Sequence, residues 1–135
     1  MNKIGIYYAY WTHEWDVDFH PFIDKAAELG FDVLEVNAGT IGHMTPAERA
    51  QLKSHADDQG IDLSYCVGLT HEYDLAAEDE AVRENGIAFL QRIAEAIGEM
   101  GGGNLGGIIY SSWLATLPED ETDKRPYVER SVASM

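Results

Sequence analysis

Apolar and polar positions along the chain switch between a period of two and a period near 3.6, and the switches predict alternating strands and helices. Ile4 to Tyr10 is rich in isoleucine and tyrosine, ends at Thr12-His13-Glu14, and predicts a buried strand. From Phe19 to Leu29, the residues Phe19, Phe22, Ile23, Ala26 and Ala27 fall at helical spacing, with Asp18 or His20 as N-cap and Gly30 as C-cap. Asp32 to Val36 predicts a second strand. Thr45-Pro46-Ala47-Glu48 opens a second helix with a capping box and a first-turn proline, and that helix stops at Gly60. Ile61 to Val67 predicts a third strand, and Glu78 to Met100 a long helix with Val82, Phe89, Leu90, Ile93 and Ile97 on one face. Gly86 interrupts that face and is read as permitting close packing on the sheet. Gly101 to Gly103 break the helix before a fourth strand, Leu105 to Tyr110. A long loop from Ser111 to Lys124 then leads to a fourth helix beginning at Pro126.

Two stretches thirty residues apart, Ala27 to Leu34 and Asp57 to Ser64, share one order: helix end, glycine, apolar residue, aspartate, strand. Four βα units without a hairpin signal imply an α/β fold with a parallel sheet and right-handed crossovers. In such a sheet the chemistry sits at the carboxyl ends of the strands. The loops there are Trp11 to Asp16, Asn37 to Met44, Gly68 to Tyr73 and Ser111 to Trp113, whose aromatics, histidines and amides suit a polar small-molecule pocket.

Composition narrows the partners. The 135 residues are 45% hydrophobic and 24% charged, the make-up of an ordinary globular domain. Nine Lys and Arg against 24 Asp and Glu give a net charge of -15, which repels nucleic acid and anionic membrane surfaces alike. No apolar run approaches the ~20 residues of a spanning helix, and the first residues lack a signal-peptide core. With one cysteine, Cys66, unable to pair within the chain, the expectation is a cytoplasmic protein.

Among candidate chemical groups, His13-Glu14 and His71-Glu72 show no established metal-ligand spacing and read as solvated loop residues. The glycines 101–103, 106 and 107 precede and occupy a strand, unlike a phosphate-binding loop. Cys66 shares a strand face with Ser64 and Gly68 and is read as an inert pocket-lining thiol. Alternation places Leu34 and Val36 toward the helices, and Val33, Glu35 and Asn37 on the opposite side. Glu35 is then either a hydrogen-bonded support or a functional carboxylate. Trp11 is expected in the core, whereas Trp15 and Trp113 lie in polar loops and suit a binding wall.

The strings Met1 to Trp11, Glu14-Trp15, Leu29 to Asp32, Val67-Gly68-Leu69 and Lys124 to Val128 resemble the N-terminal part of the D-tagatose 3-epimerase and D-psicose (D-allulose) 3-epimerase family. The resemblance runs along essentially the whole chain. It implies a (β/α)8 barrel that binds a divalent metal, usually manganese, and moves a proton at C3 of a free ketohexose through a cis-enediolate. Two glutamates on opposite faces of the sugar exchange that proton. By position, Tyr7, Trp15, Cys66, Ile108 and Trp113 match residues that wall the sugar pocket.

The resemblance also implies that the four metal ligands, two of them the catalytic glutamates, belong to a second half that these residues do not match. Leu114 stands where the family has proline after the fourth-loop tryptophan. A barrel of ~250 residues makes the chain a (βα)4 half, ending inside its fourth helix. Half a barrel has open edge strands, so the expectation is pairing, with a second copy or a complementary half, or rearrangement into an open flavodoxin-like sheet. The expected function is the first half of a ketose 3-epimerase, inactive alone. The competing reading is a non-catalytic half-barrel assembly or binding module.

Overall fold

The computed structural model describes residues 2–117 and 122–135. Its strands are β1 (Gly5–Tyr7), β2 (Val33–Asn37), β3 (Asp62–Leu69) and β4 (Leu105–Ser112). Its helices are α1 (His20–Glu28), α2 (Ala38–His43), α3 (Pro46–Gln59), α4 (Glu80–Glu99) and α5 (Arg125–Ser134), with 3-10 turns at Tyr8–Tyr10 and His71–Tyr73. Among the described residues, no helix is long and apolar enough to cross a membrane.

The strand order is β1-β2-β3-β4. Strand β2 pairs in parallel with β1 and with β3. Amide Tyr65 donates to Asn104 and amide Trp113 to Leu69, so the two chains advance in the same sense from β3 to β4 as well. A flavodoxin-like sheet places β1 between β2 and β3. The sequential order excludes that alternative and is the order of a barrel wall.

Local chemistry explains most boundaries. Thr45 and Glu48 form the reciprocal capping box that starts α3, with Pro46 in the first turn. Gly60 ends α3 in the left-handed conformation at φ 70°, where any side chain is disfavoured. Helix α1 begins after Phe19, not after a side-chain cap, although Asp18 accepts from the His20 amide at 3.0 Å. Strand β1 is shorter than expected. The chain turns at Tyr8, whose side chain is wholly buried against Phe19 and Phe22 in edge-on ring contacts. Helix α2 is absent from the sequence-based reading. It forms because the Asn37 side chain accepts from both the Gly39 and Thr40 amides and so caps an otherwise glycine-weakened segment.

The described chain comprises two compact units, Met1–Cys66 with Ile93–Leu105, and Val67–Arg92 with Gly106–Met135. In the first, α1 packs on β2 and on α3, and Ile23, Ala26, Leu34, Val36 and Leu52 of these elements are buried, while Tyr65 of β3 is buried with its hydroxyl on the Met100 sulfur. Arg49, nearly buried on α3, bonds to the Met44 carbonyl and to the Glu99 carboxylate, so its charge is compensated. In the second unit, Leu69, Leu75 and Ala76 are buried, Tyr73 stacks on Phe89 at 4.3 Å, and α5 is tied down by side-chain bonds. Arg130 donates to the Ala76 carbonyl, Ser131 to Tyr110 and Ser134 to Leu75.

Candidate functional site

Register assembles the first cluster of candidate residues. Tyr7 lies beside Glu35, Glu35 beside Ser64, and Asn37 beside Cys66. Neighbours in register share a face, and so do residues two apart on one strand. Tyr7, Glu35, Asn37, Ser64 and Cys66 therefore occupy one side of the sheet, and all are half-buried. Leu34, Val36 and Tyr65 on the other side are buried. The alternation read from the sequence holds at each of these positions.

The environment keeps the thiol and phenol of this face protonated. Burial pushes the Cys66 thiol up to about 11; the Tyr7 hydroxyl works against the shift, and the nearby Glu35 carboxylate adds to it. Burial likewise raises the Tyr7 hydroxyl above the ordinary tyrosine range, with Cys66 reinforcing the effect. A neutral thiol is a poor nucleophile. At pH 8 iodoacetamide is expected to label Cys66 on the order of 10-fold more slowly than a free cysteine with its pKa near 8.5, because the smaller thiolate fraction outweighs the greater nucleophilicity of a more basic thiolate. Labelling at the free-cysteine rate would show that the thiol is not held neutral.

Trp15, half-exposed, is placed through its backbone. The buried Tyr8 donates its hydroxyl proton to the Trp15 carbonyl at 3.0 Å, and the Thr40 hydroxyl donates to the same carbonyl at 3.3 Å. Neither Tyr8 nor Thr40 is marked out by sequence pattern, because the contact spans the turn after β1, a loop and the unpredicted α2. Trp11 is not core but half-buried, stacked on Phe22 at 6.2 Å under the Lys25 ammonium. Both contacts come from helix α1.

In the second unit Ile108 lies half-buried on β4 and Trp113 follows the end of that strand. The Trp113 amide donates to the Leu69 carbonyl at 2.6 Å, and its ring lies against Gly68, where an added Cβ would stand 2.5 Å from Cε3. Buried Ser112 is 3.0 Å from Asp74 Oδ2 and 3.2 Å from His71 Nδ1. His71 is therefore not simply solvated, as its loop position suggested. His13, Glu14 and Glu72 are exposed.

Among the described residues, no group of three or more His, Cys, Asp or Glu side chains can hold a metal ion. The divalent metal implied by the family resemblance thus finds no fitting donor set in these residues. No proton-transfer step is assigned to them.

The family model described as a xylose isomerase-like TIM barrel matches residues 23–131. The D-psicose 3-epimerase of Agrobacterium fabrum is 41% identical over 111 residues, which is 82% of this chain and 38% of that protein. A D-psicose 3-epimerase crystallised in the presence of D-fructose superposes with a TM-score of 0.91 at 38% identity, covering 98% of this chain and 46% of that one. A D-psicose 3-epimerase with D-tagatose from Clostridium cellulolyticum H10 gives a TM-score of 0.92 at 35% identity, with the same coverage. The chain thus spans less than half the length of the relatives it matches.

Proposed function

Because the chain belongs to the xylose isomerase-like TIM-barrel family, we propose that it forms the N-terminal half of a ketose 3-epimerase and supplies sugar-contacting wall residues. The observation that carries this reading is a match to D-psicose 3-epimerases over 98% of the chain, at 38% identity and a TM-score of 0.91. In one unit the contacts are Tyr7, Trp15 and Cys66, with Glu35 as their polar support. In the other they are Ile108 and Trp113. Aromatic and aliphatic surfaces suit the C–H faces of a ketohexose, while a protonated phenol and thiol offer hydrogen bonds without competing chemistry. The work of these residues is to bind, orient and exclude water. The metal, manganese by family resemblance, and the proton-transferring glutamates come from the complementary half.

Among the described residues β1 pairs with β2 alone, and a strand edge left open in this way favours association. The partner in this reading is a second half-barrel, in the cytoplasm where a lone thiol stays reduced. The test supplies D-fructose and manganese to the chain alone, and to the chain combined with the C-terminal half of the Agrobacterium fabrum enzyme. Formation of D-psicose is expected only in the mixture. Turnover by the chain alone would refute its dependence on a second half. A co-eluting complex without turnover would refute the epimerase reading.

A further inference from the structure

Ser112 has a single hydroxyl proton and two polar neighbours. Asp74 accepts it through Oδ2 at 3.0 Å, because an ionised carboxylate can only accept. The Ser112 oxygen is then left to accept from His71 Nδ1, 3.2 Å away. The other Asp74 oxygen accepts from the Ala76 amide at 2.9 Å, so the carboxylate is itself held. Ser112 is 2% exposed, so water cannot replace either bond freely.

The next residue is Trp113. Its amide is bonded to Leu69, and its ring lies over a glycine that leaves no room for a side chain. The backbone at 112–113 is thus gripped by a side-chain bridge, a main-chain bond and a close ring contact.

We propose that Ser112 is a positioning residue: by bridging His71 and Asp74 it holds the Trp113 indole against Gly68 as a preformed aromatic wall. This rests on the sugar-contact role given to Trp113 above. A wall fixed in advance removes the cost of ordering a large side chain when a ligand binds.

The chain labelled with 5-fluorotryptophan reports all three tryptophans by fluorine NMR, with the Trp113 resonance assigned by its loss in Trp113→Phe. Ser112→Ala is expected to displace or broaden the Trp113 resonance and leave those of Trp11 and Trp15 in place. His71→Ala, at an exposed position that tolerates truncation, is expected to act in the same direction, and it decides the matter where Ser112→Ala fails to fold. An unmoved Trp113 resonance in a folded Ser112→Ala chain, or in His71→Ala, would overturn the proposal. Equal movement of all three signals would do the same, because it marks a general loss of structure. Adding D-psicose to the unsubstituted chain separates the two readings. With no sugar-dependent change the wall loses its assigned ligand, while the positioning result stands on the sugar-free spectra.

Discussion

Replacing Gly107 by alanine is expected to destabilise the Val67–Arg92 and Gly106–Met135 unit severely. Gly107 has φ 103°, a conformation that L side chains rarely adopt, and strain of that kind costs about 1–3 kcal/mol. Alanine adds a collision to the strain. Its Cβ would stand 2.3 Å from the Val67 carbonyl oxygen, 2.8 Å from the Val67 nitrogen and 3.0 Å from the Val67 carbon. All three are backbone atoms of a paired strand, so relief requires β3 and β4 to separate. The combined cost should exceed about 4 kcal/mol, a large share of the 5–15 kcal/mol that holds a typical domain. Urea denaturation followed by circular dichroism checks it. A variant whose midpoint stays near that of the unsubstituted chain would show that the strands can part here without losing their pairing.

The elements legible from sequence were those fixed by neighbours in the chain. The capping box at Thr45 and Glu48, the stop at Gly60, and the opposite facing of Glu35 and Leu34 all follow from contacts or geometry within a few residues. The parallel βα order followed from the alternation of periods. What escaped depends on distant partners. Ser112 meets His71 and Asp74 across 41 and 38 residues, and Trp15 is held by a carbonyl contact to which its own side chain is irrelevant. Helix α2 escaped for a local reason: Gly39 and Gly42 lower helix propensity, and the Asn37 cap that offsets them sits at the end of a strand.

Gly86 is legible as a close approach, but the sequence reading places that approach on the sheet, and its actual partner sets the second large expected effect. Within a helix, Gly→Ala ordinarily stabilises by up to about 1 kcal/mol. Gly98 of α4 has nothing within 4 Å of an added Cβ, so Gly98→Ala should follow that rule and raise the denaturation midpoint. At Gly86 the same methyl would stand 2.4 Å from the Tyr73 carbonyl oxygen and 2.7 Å from Leu75 Cδ2. The neighbour is the turn after β3, not a sheet strand. That turn cannot slide away freely, since Tyr73 is stacked on Phe89 of the same helix at 4.3 Å and Leu75 is fully buried. Overpacking of this kind costs about 1–3 kcal/mol, and a backbone collision places it at the upper end, outweighing the propensity gain. Gly86→Ala should therefore lower the midpoint while Gly98→Ala raises it. Because Asp74 lies between Tyr73 and Leu75 and accepts from Ser112, Gly86→Ala should also displace the Trp113 fluorine resonance, which Gly98→Ala should leave unchanged. A rise in stability at both positions would mean that helix propensity decides at Gly86 and that the turn yields, contrary to the packing seen around Tyr73.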